Sequence, residues 1–276
     1  LVLRNFWQDP SMLKERLVMQ VFQHMGVAAP REAHTRLFVG ADRGYAGVYA
    51  LVEDINVEFL ARHFDAHGYL FEYRWISPYG FEDLGPDLEA YQIRFDPKTH
   101  ETDSMYGLYA PVRDLIAAIN GAGPDDLESA LEPDLDVRAF LTHAAVENYL
   151  SDWDGLLGTW GLNNFYICRS PGSPRWAFIP SDKDNIFVWL DMPPWHNVET
   201  NVLMSKAWAS PPLRAFYLRQ LLVVSALSGW MLDEIDREAE RIREAAAADP
   251  FKGSTTAEFE EAVEQRAIPD VAFDQG

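Results

Sequence analysis

Cysteine is almost absent from this sequence: Cys168 stands alone, so no intrachain disulfide can form. That weighs against an exported protein without excluding one, since bacterial extracellular proteins often carry no disulfide. Positive charge is also scarce. Against 43 Asp and Glu there are 23 Lys and Arg, a net charge of −20, and no basic stripe interrupts the acidic background. Such a chain repels nucleic-acid phosphates and anionic membrane surfaces, which excludes nucleic acid as an expected partner. An acidic protein that handles an anionic nucleotide must recruit cations locally, from a few Lys or Arg or from a divalent metal. No apolar run reaches membrane-spanning length, and no basic-then-apolar signal segment opens the chain, which predicts a soluble chain as it stands. Because Leu1 rather than Met comes first, an upstream segment is expected to be missing, and any signal peptide with it. Internal repeats are lacking, as is low complexity beyond the short run 245–248.

Apolar and aromatic residues are plentiful. They make up 48% and 13% of the 276 residues, which predicts a folded, enzyme-sized unit. Asp9-Pro10 reads as an N-cap and first helical position, followed by a stripe of Met12, Leu13, Leu17, Val18, Val21 and Phe22 that Gly26 ends. Residues 35–39 and 45–52 are β-branched and aromatic around a Gly-rich turn, which predicts a hairpin. A short helix over 57–64 and strands over 69–75 and 91–95 complete a mixed first part. Helical patterning then covers 112–119 and 137–150, with short strands at 165–168 and 176–179. Beyond Asn197 nearly everything reads as helix, over 203–208, 213–227, 232–247 and 256–266, before a polar tail at 271–276. The expected class is α+β: a small mixed-sheet region followed by a mainly helical C-terminal region.

The chemistry concentrates between Asp152 and Asn185. Asp152, Asp154, Asn163, Asn164, Asp182, Asp184 and Asn185 lie at the ends of a helix and two strands. Hard oxygen donors of this kind suit magnesium, which is usually held by one or two carboxylates plus substrate phosphate oxygens. Phosphoryl transfer also needs one Asp to position or deprotonate the attacking hydroxyl. Asp, then Asn, then Asp after a strand is the chain order of protein kinases. Seven scattered His and one Cys give no zinc-finger spacing. Cys168, within an apolar strand, reads as inert packing. The Trp-rich segment 189–195 reads as a substrate-binding lip or a packed loop.

The segments Asp152-Trp153-Asp154-Gly155, Asn164-Phe165-Tyr166-Ile167 and Ile179-Pro180-Ser181-Asp182-Lys183-Asp184 resemble the spore-coat protein H (CotH) kinase family. An earlier block agrees: residues 9–17, Gly26 to Arg31, and Gly47-Val48-Tyr49-Ala50-Leu51-Val52-Glu53. The resemblance spans about Leu3 to Arg266 and implies one catalytic domain over 1–270 with an atypical protein-kinase-like fold. It implies an exported or surface-located enzyme, at a cell or spore coat, that transfers the γ-phosphoryl of ATP with Mg2+ or Mn2+ to a protein Ser or Thr hydroxyl. By matching position, Asp154 would be the catalytic Asp, Asn164 and Asp182 metal ligands, and Asp184 their support. Glu53 would orient a phosphate-binding cation.

Several positions depart from the family pattern. Asn163 replaces a His, Ser181 a Trp and Lys183 a Leu, and Ile186 and Val188 replace a Thr and a Gly. These changes spare the acidic groups, so they are expected to alter substrate or nucleotide preference before metal binding. A basic strand ahead of the first helix, supplying a nucleotide-contacting Lys, is not legible; Lys14, Arg16 or Lys183 is expected to take that place. A pseudokinase or assembly module is the alternative, as is a kinase-fold enzyme performing nucleotidyl transfer or ATP-driven ligation.

Overall fold

A computed structural model describes residues 1–189 and 191–264. In the first part, strands β1 (Val2–Arg4), β2 (Glu32–Val39) and β3 (Gly44–Val52) form an antiparallel sheet of order β1-β3-β2. The β2–β3 hairpin is the expected one, although β2 begins at Glu32 rather than Thr35, with a register shift between Leu37 and Phe38. Pairing of Val2 with Val52 and Arg4 with Ala50 makes a strand of a segment too short to be read from sequence. The basic strand ahead of the first helix is therefore present, and Arg4 is its cation.

Helix α1 (Lys14–His24) buries Leu17, Val18, Val21 and Phe22, and Gly26, with φ of 77°, lies just beyond its end. Its start differs from the expected Asp9-Pro10. Asp9 is buried and accepts from Ser11 N at 3.0 Å and from Lys14 N at 2.9 Å, so it caps a turn that leads into the helix.

A second antiparallel sheet has the order β5-β4-β6-β7, built from β4 (Tyr69–Tyr73), β5 (Phe95–Pro97), β6 (Phe165–Arg169) and β7 (Trp176–Pro180). Here the strand expected over 91–95 is corrected. Glu89–Gln92 form helix α3, after Asp87 accepts from Glu89 N at 3.0 Å, and only Phe95 onward pairs with β4. Helix α2 (Val57–His63) is capped by Asn56, whose side chain accepts from Glu58 N and Phe59 N.

The remainder is helical: α4 (Met105–Gly121), α5 (Leu127–Leu131), α6 (Val137–Tyr149), α7 (Val202–Ala209), α8 (Pro211–Ser225), α9 (Ser228–Ala247) and α10 (Thr256–Glu264). The expected end of the last helix at Arg266 and the tail at 271–276 lie outside the described residues. Helix α6 is buried nearly all round, packed against α8 and β7, with the polar side chains of Thr142, His143, Glu147 and Asn148 buried along with its apolar ones. Phe140, Leu141, Val146 and Leu150 sit at its core, each contributing about 1.5–3 kcal/mol by burial. That packing makes α6 a rigid mount for the loop that leaves its C-terminal end. Among the described residues no single helix is long and apolar enough to cross a membrane; α8 and α9 pass that test only as a pair bent by 42°.

Candidate active site

The last turn of α6 presents Glu147, and the chain then folds back over this one residue, meeting first its backbone carbonyl and then its carboxylate. Asp152 N donates to Glu147 O at 2.9 Å, Asp154 N to Asp152 Oδ1 at 3.0 Å, and Leu156 N to Glu147 Oε2 at 2.7 Å. Gly155 lies against the same group. A Cβ there would sit 2.5 Å from Glu147 Cδ and Oε2, so only glycine lets the loop close.

The loop delivers Asp154 between two amides. Asn163 Nδ2 donates to Oδ1 and Asn164 Nδ2 to Oδ2, each at 3.0 Å. Asn164 Nδ2 also donates to Asp154 O at 3.1 Å, which leaves Asn164 Oδ1 as an oxygen ligand in reserve. Asn164 adopts φ of 56°, a left-handed conformation that Asn tolerates, immediately before β6.

Strand β7 runs beside β6 and ends at Pro180, paired with Phe165; Ser181 N then donates to Asn164 O at 3.1 Å. This bond sets the Asp182 segment beside the Asp154 loop. Asp182 has φ of 53° and a half-exposed carboxylate. Arg4 reaches across from β1 to pair with Asp182 and, at 2.6 Å, with Glu15 at the start of α1. Burial pushes Glu15 up to about 7; Arg4 opposes this, while Asp182 and Asp184 add to it. Burial also raises Asp184, to about 6, helped by Asp182 and Asp9 and opposed by Arg4 and Lys14. Glu32 is raised well above the carboxylate range by burial and then by Glu15, and neither of its buried oxygens has a hydrogen-bond partner. Acidic groups thus outnumber cations around Asp182, a setting that favours a positive guest.

The sequence pattern of the CotH kinase proteins matches residues 1–267 of the 276. The chain belongs to the CotH kinase family. No curated protein matches it. Family membership points to a kinase-type enzyme, and the α+β architecture, with small antiparallel sheets and a mainly helical C-terminal part, agrees with the kinase-like fold of CotH proteins.

Of the CotH positions singled out from sequence, Asp154 and Asn164 are in contact, and Asp182 joins them through the Ser181–Asn164 bond. Asp182 and Lys14 both lie in the electrostatic neighbourhood of Asp184. Three others do not serve as expected. Lys183 is wholly buried, its Nζ 2.6 Å from Glu147 Oε1 and 3.0 Å from Asp152 Oδ2, so its ammonium is not available to a nucleotide. Arg16 is committed to α9, 2.6 Å from Glu234 and 3.5 Å from Glu238. Glu53 pairs with Arg62 and, at 3.2 Å, with Arg31. Burial alone would raise it, but hydrogen bonds from Arg62 and Arg31 bring its pKa below the usual value. Glu53 therefore holds Arg31 and Arg62 rather than Lys14, Arg16 or Lys183, the cations expected to contact phosphate.

Arg4, Glu15, Glu32 and Glu147 escape a reading of the sequence. The short run Val2-Leu3-Arg4 is too brief to carry a strand pattern that would mark Arg4, and a helical Glu carries no mark of its burial. Among the described residues, no three His, Cys, Asp or Glu side chains converge to hold a metal unaided. Asp182, Asp184 and Asn164 Oδ1 instead have the chemistry for a magnesium ion that brings its own phosphate and water oxygens.

Proposed function

We propose that this CotH-family chain is an ATP- and magnesium-dependent kinase, with manganese as an alternative metal, that phosphorylates Ser or Thr hydroxyls of a protein substrate. The observation that carries the reading is the bonded set Asp154–Asn164–Ser181, which puts a candidate base, a candidate metal ligand and the Asp182 segment side by side. Magnesium held by Asn164 and Asp182 would screen the phosphate charge. Asp154, fixed by two amides, accepts the proton of the acceptor hydroxyl as its oxygen attacks the γ-phosphorus; the bond to the β-phosphate oxygen breaks and ADP leaves. Arg4 is placed to exchange Asp182 for a phosphate oxygen while keeping Glu15 as its anchor. Family resemblance supports a place outside the cytoplasm, at a cell or spore surface, and an exported protein as the acceptor.

The test is product analysis with γ-labelled ATP, Mg2+ or Mn2+, and Ser/Thr-rich protein acceptors. ADP together with labelled protein supports the reading, whereas released pyrophosphate means attack at the α-phosphate. Asp154→Asn should lower turnover by about 10²–10⁴-fold, with nucleotide affinity nearly unchanged. Equal loss of both would overturn this division of roles.

A further inference from the structure

Lys183 stands between Asp182 and Asp184 in sequence, yet its ammonium is in the interior with Glu147 and Asp152. His143 Nε2 closes the cluster, 3.0 Å from Glu147 Oε1. All four side chains are at most 2% exposed. Such a cluster is not explained by stability, because a well-packed apolar side chain of similar size often does as well or better than a buried ion pair. What an apolar side chain lacks is charge. The ammonium lies within ion-pair distance of two carboxylates that belong to different segments: Glu147 to the end of α6, and Asp152 to the loop that carries Asp154.

The bonds of those carboxylates show what the cluster holds. Asp152 gives its other oxygen to Asp154 N, and Glu147 gives its other oxygen to Leu156 N, on either side of Gly155. Lys183 thus ties the segment that bears Asp182 and Asp184 to the loop that bears Asp154, through a second connection independent of the Ser181–Asn164 bond. We propose that Lys183 is a positioning residue, a buried strut that fixes the Asp182–Asp184 segment relative to Asp154 and so sets the geometry of the metal–nucleotide site. The proposal rests on the kinase reading for the use of that geometry, but the strut itself is a statement about two segments of this chain.

Two variants test it. Lys183→Met alone leaves Glu147 and Asp152 buried without their cation and is expected to fold poorly. Lys183→Met/Glu147→Gln removes one carboxylate charge as well and keeps an oxygen for Leu156 N; Asp152, already raised by burial to about 6, then takes up a proton in place of its cation, so the melting temperature should return close to wild type. Asp152→Asn keeps the oxygen for Asp154 N, adds no bulk and removes one end of the strut. Mn2+ binding in the presence of a non-hydrolysable ATP analogue is followed by electron paramagnetic resonance, and amide exchange is followed at Asp154 and Leu156.

In the double variant Mn2+ affinity should fall about 10–100-fold, the usual effect of removing a partner that orients metal ligands, and both amides should exchange faster. Asp152→Asn should show the same changes in smaller measure. Wild-type affinity in either variant, with the wild-type melting temperature, would overturn the strut and leave the kinase reading standing. Absence of Mn2+–nucleotide binding in the wild type would overturn the kinase reading and the functional role of Lys183 together. Faster exchange in the variants of such a chain would then reduce the strut to a structural tie.

Discussion

Gly155→Ala is the substitution on which the site geometry can be tested without any ligand. The added methyl would lie 2.5 Å from Glu147 Cδ and Oε2, and that carboxylate cannot yield, because Lys183, His143 and Leu156 N hold it from three sides. Forcing a methyl into a packed interior costs about 1–3 kcal/mol. If the carboxylate is driven off Lys183, the cost of breaking a buried pair approaches about 3–5 kcal/mol. A loss of about 3 kcal/mol corresponds to a fall in Tm of roughly 6–12 °C for a chain of this size. Gly229, early in α9, is the control: a Cβ there meets nothing within 4 Å, so Gly229→Ala should be neutral or stabilising by up to about 1 kcal/mol. Scanning calorimetry of the two variants beside wild type reads both effects. If Gly155→Ala melts with wild type, the loop is not wrapped on Glu147 and the account of how Asp154 is placed fails.

Arg4→Ala should lower nucleotide affinity about tenfold, the scale of one charge-assisted hydrogen bond, while Arg4→Lys recovers most of it; titration with a fluorescent nucleotide measures both. Unchanged affinity in Arg4→Ala would assign the phosphate to another cation, with Lys14 the nearest candidate. Glu15 gives a pH prediction in metal-free buffer. Its pKa is raised on folding from 4.5 to about 7, so its contribution to stability is full below pH 4.5 and lost as pH rises towards 7. Glu15→Gln should therefore gain on wild type in urea midpoint across that window. His34 and His143, lowered by burial, act in the opposite sense over part of the range, but they are present in both proteins and cancel in the comparison. A gain that shrinks as pH rises would contradict the buried placement of Glu15.

The parts of the fold that sequence reveals are those whose pattern is local. The stripe of α1, the β2–β3 hairpin, α6 and the paired strands β6 and β7 each declare themselves within a few residues; the polar cluster between Asp152 and Asn185 is legible because it lies at their ends, and the CotH resemblance is what singles out Asp154, Asn164 and Asp182 within it. The elements that escape depend on distant partners. Val2–Arg4 becomes a strand only by pairing with β3, and Arg4 becomes a site residue only because Asp182 and Glu15 meet it there. Residues 91–95 alternate like a strand, yet Asp87 starts a helical turn that consumes them as far as Gln92. Lys183 looks like a nucleotide ligand because it sits among acids. The left-handed backbone at Asp182 precedes a side chain that enters the interior, where Glu147 and Asp152 await it.

The central claim is that Asp182 belongs to a metal-dependent nucleotide site, and thermal melting with and without ATP tests it most directly. Binding to the folded state must raise Tm by mass action: at a ligand concentration about a hundredfold above Kd the gain is about 2.7 kcal/mol, or roughly 5–11 °C here. The account predicts a shift of that order with ATP plus magnesium or manganese, abolished by chelator and lost in Asp182→Ala. No shift at millimolar nucleotide, or the same shift in Asp182→Ala, would contradict it.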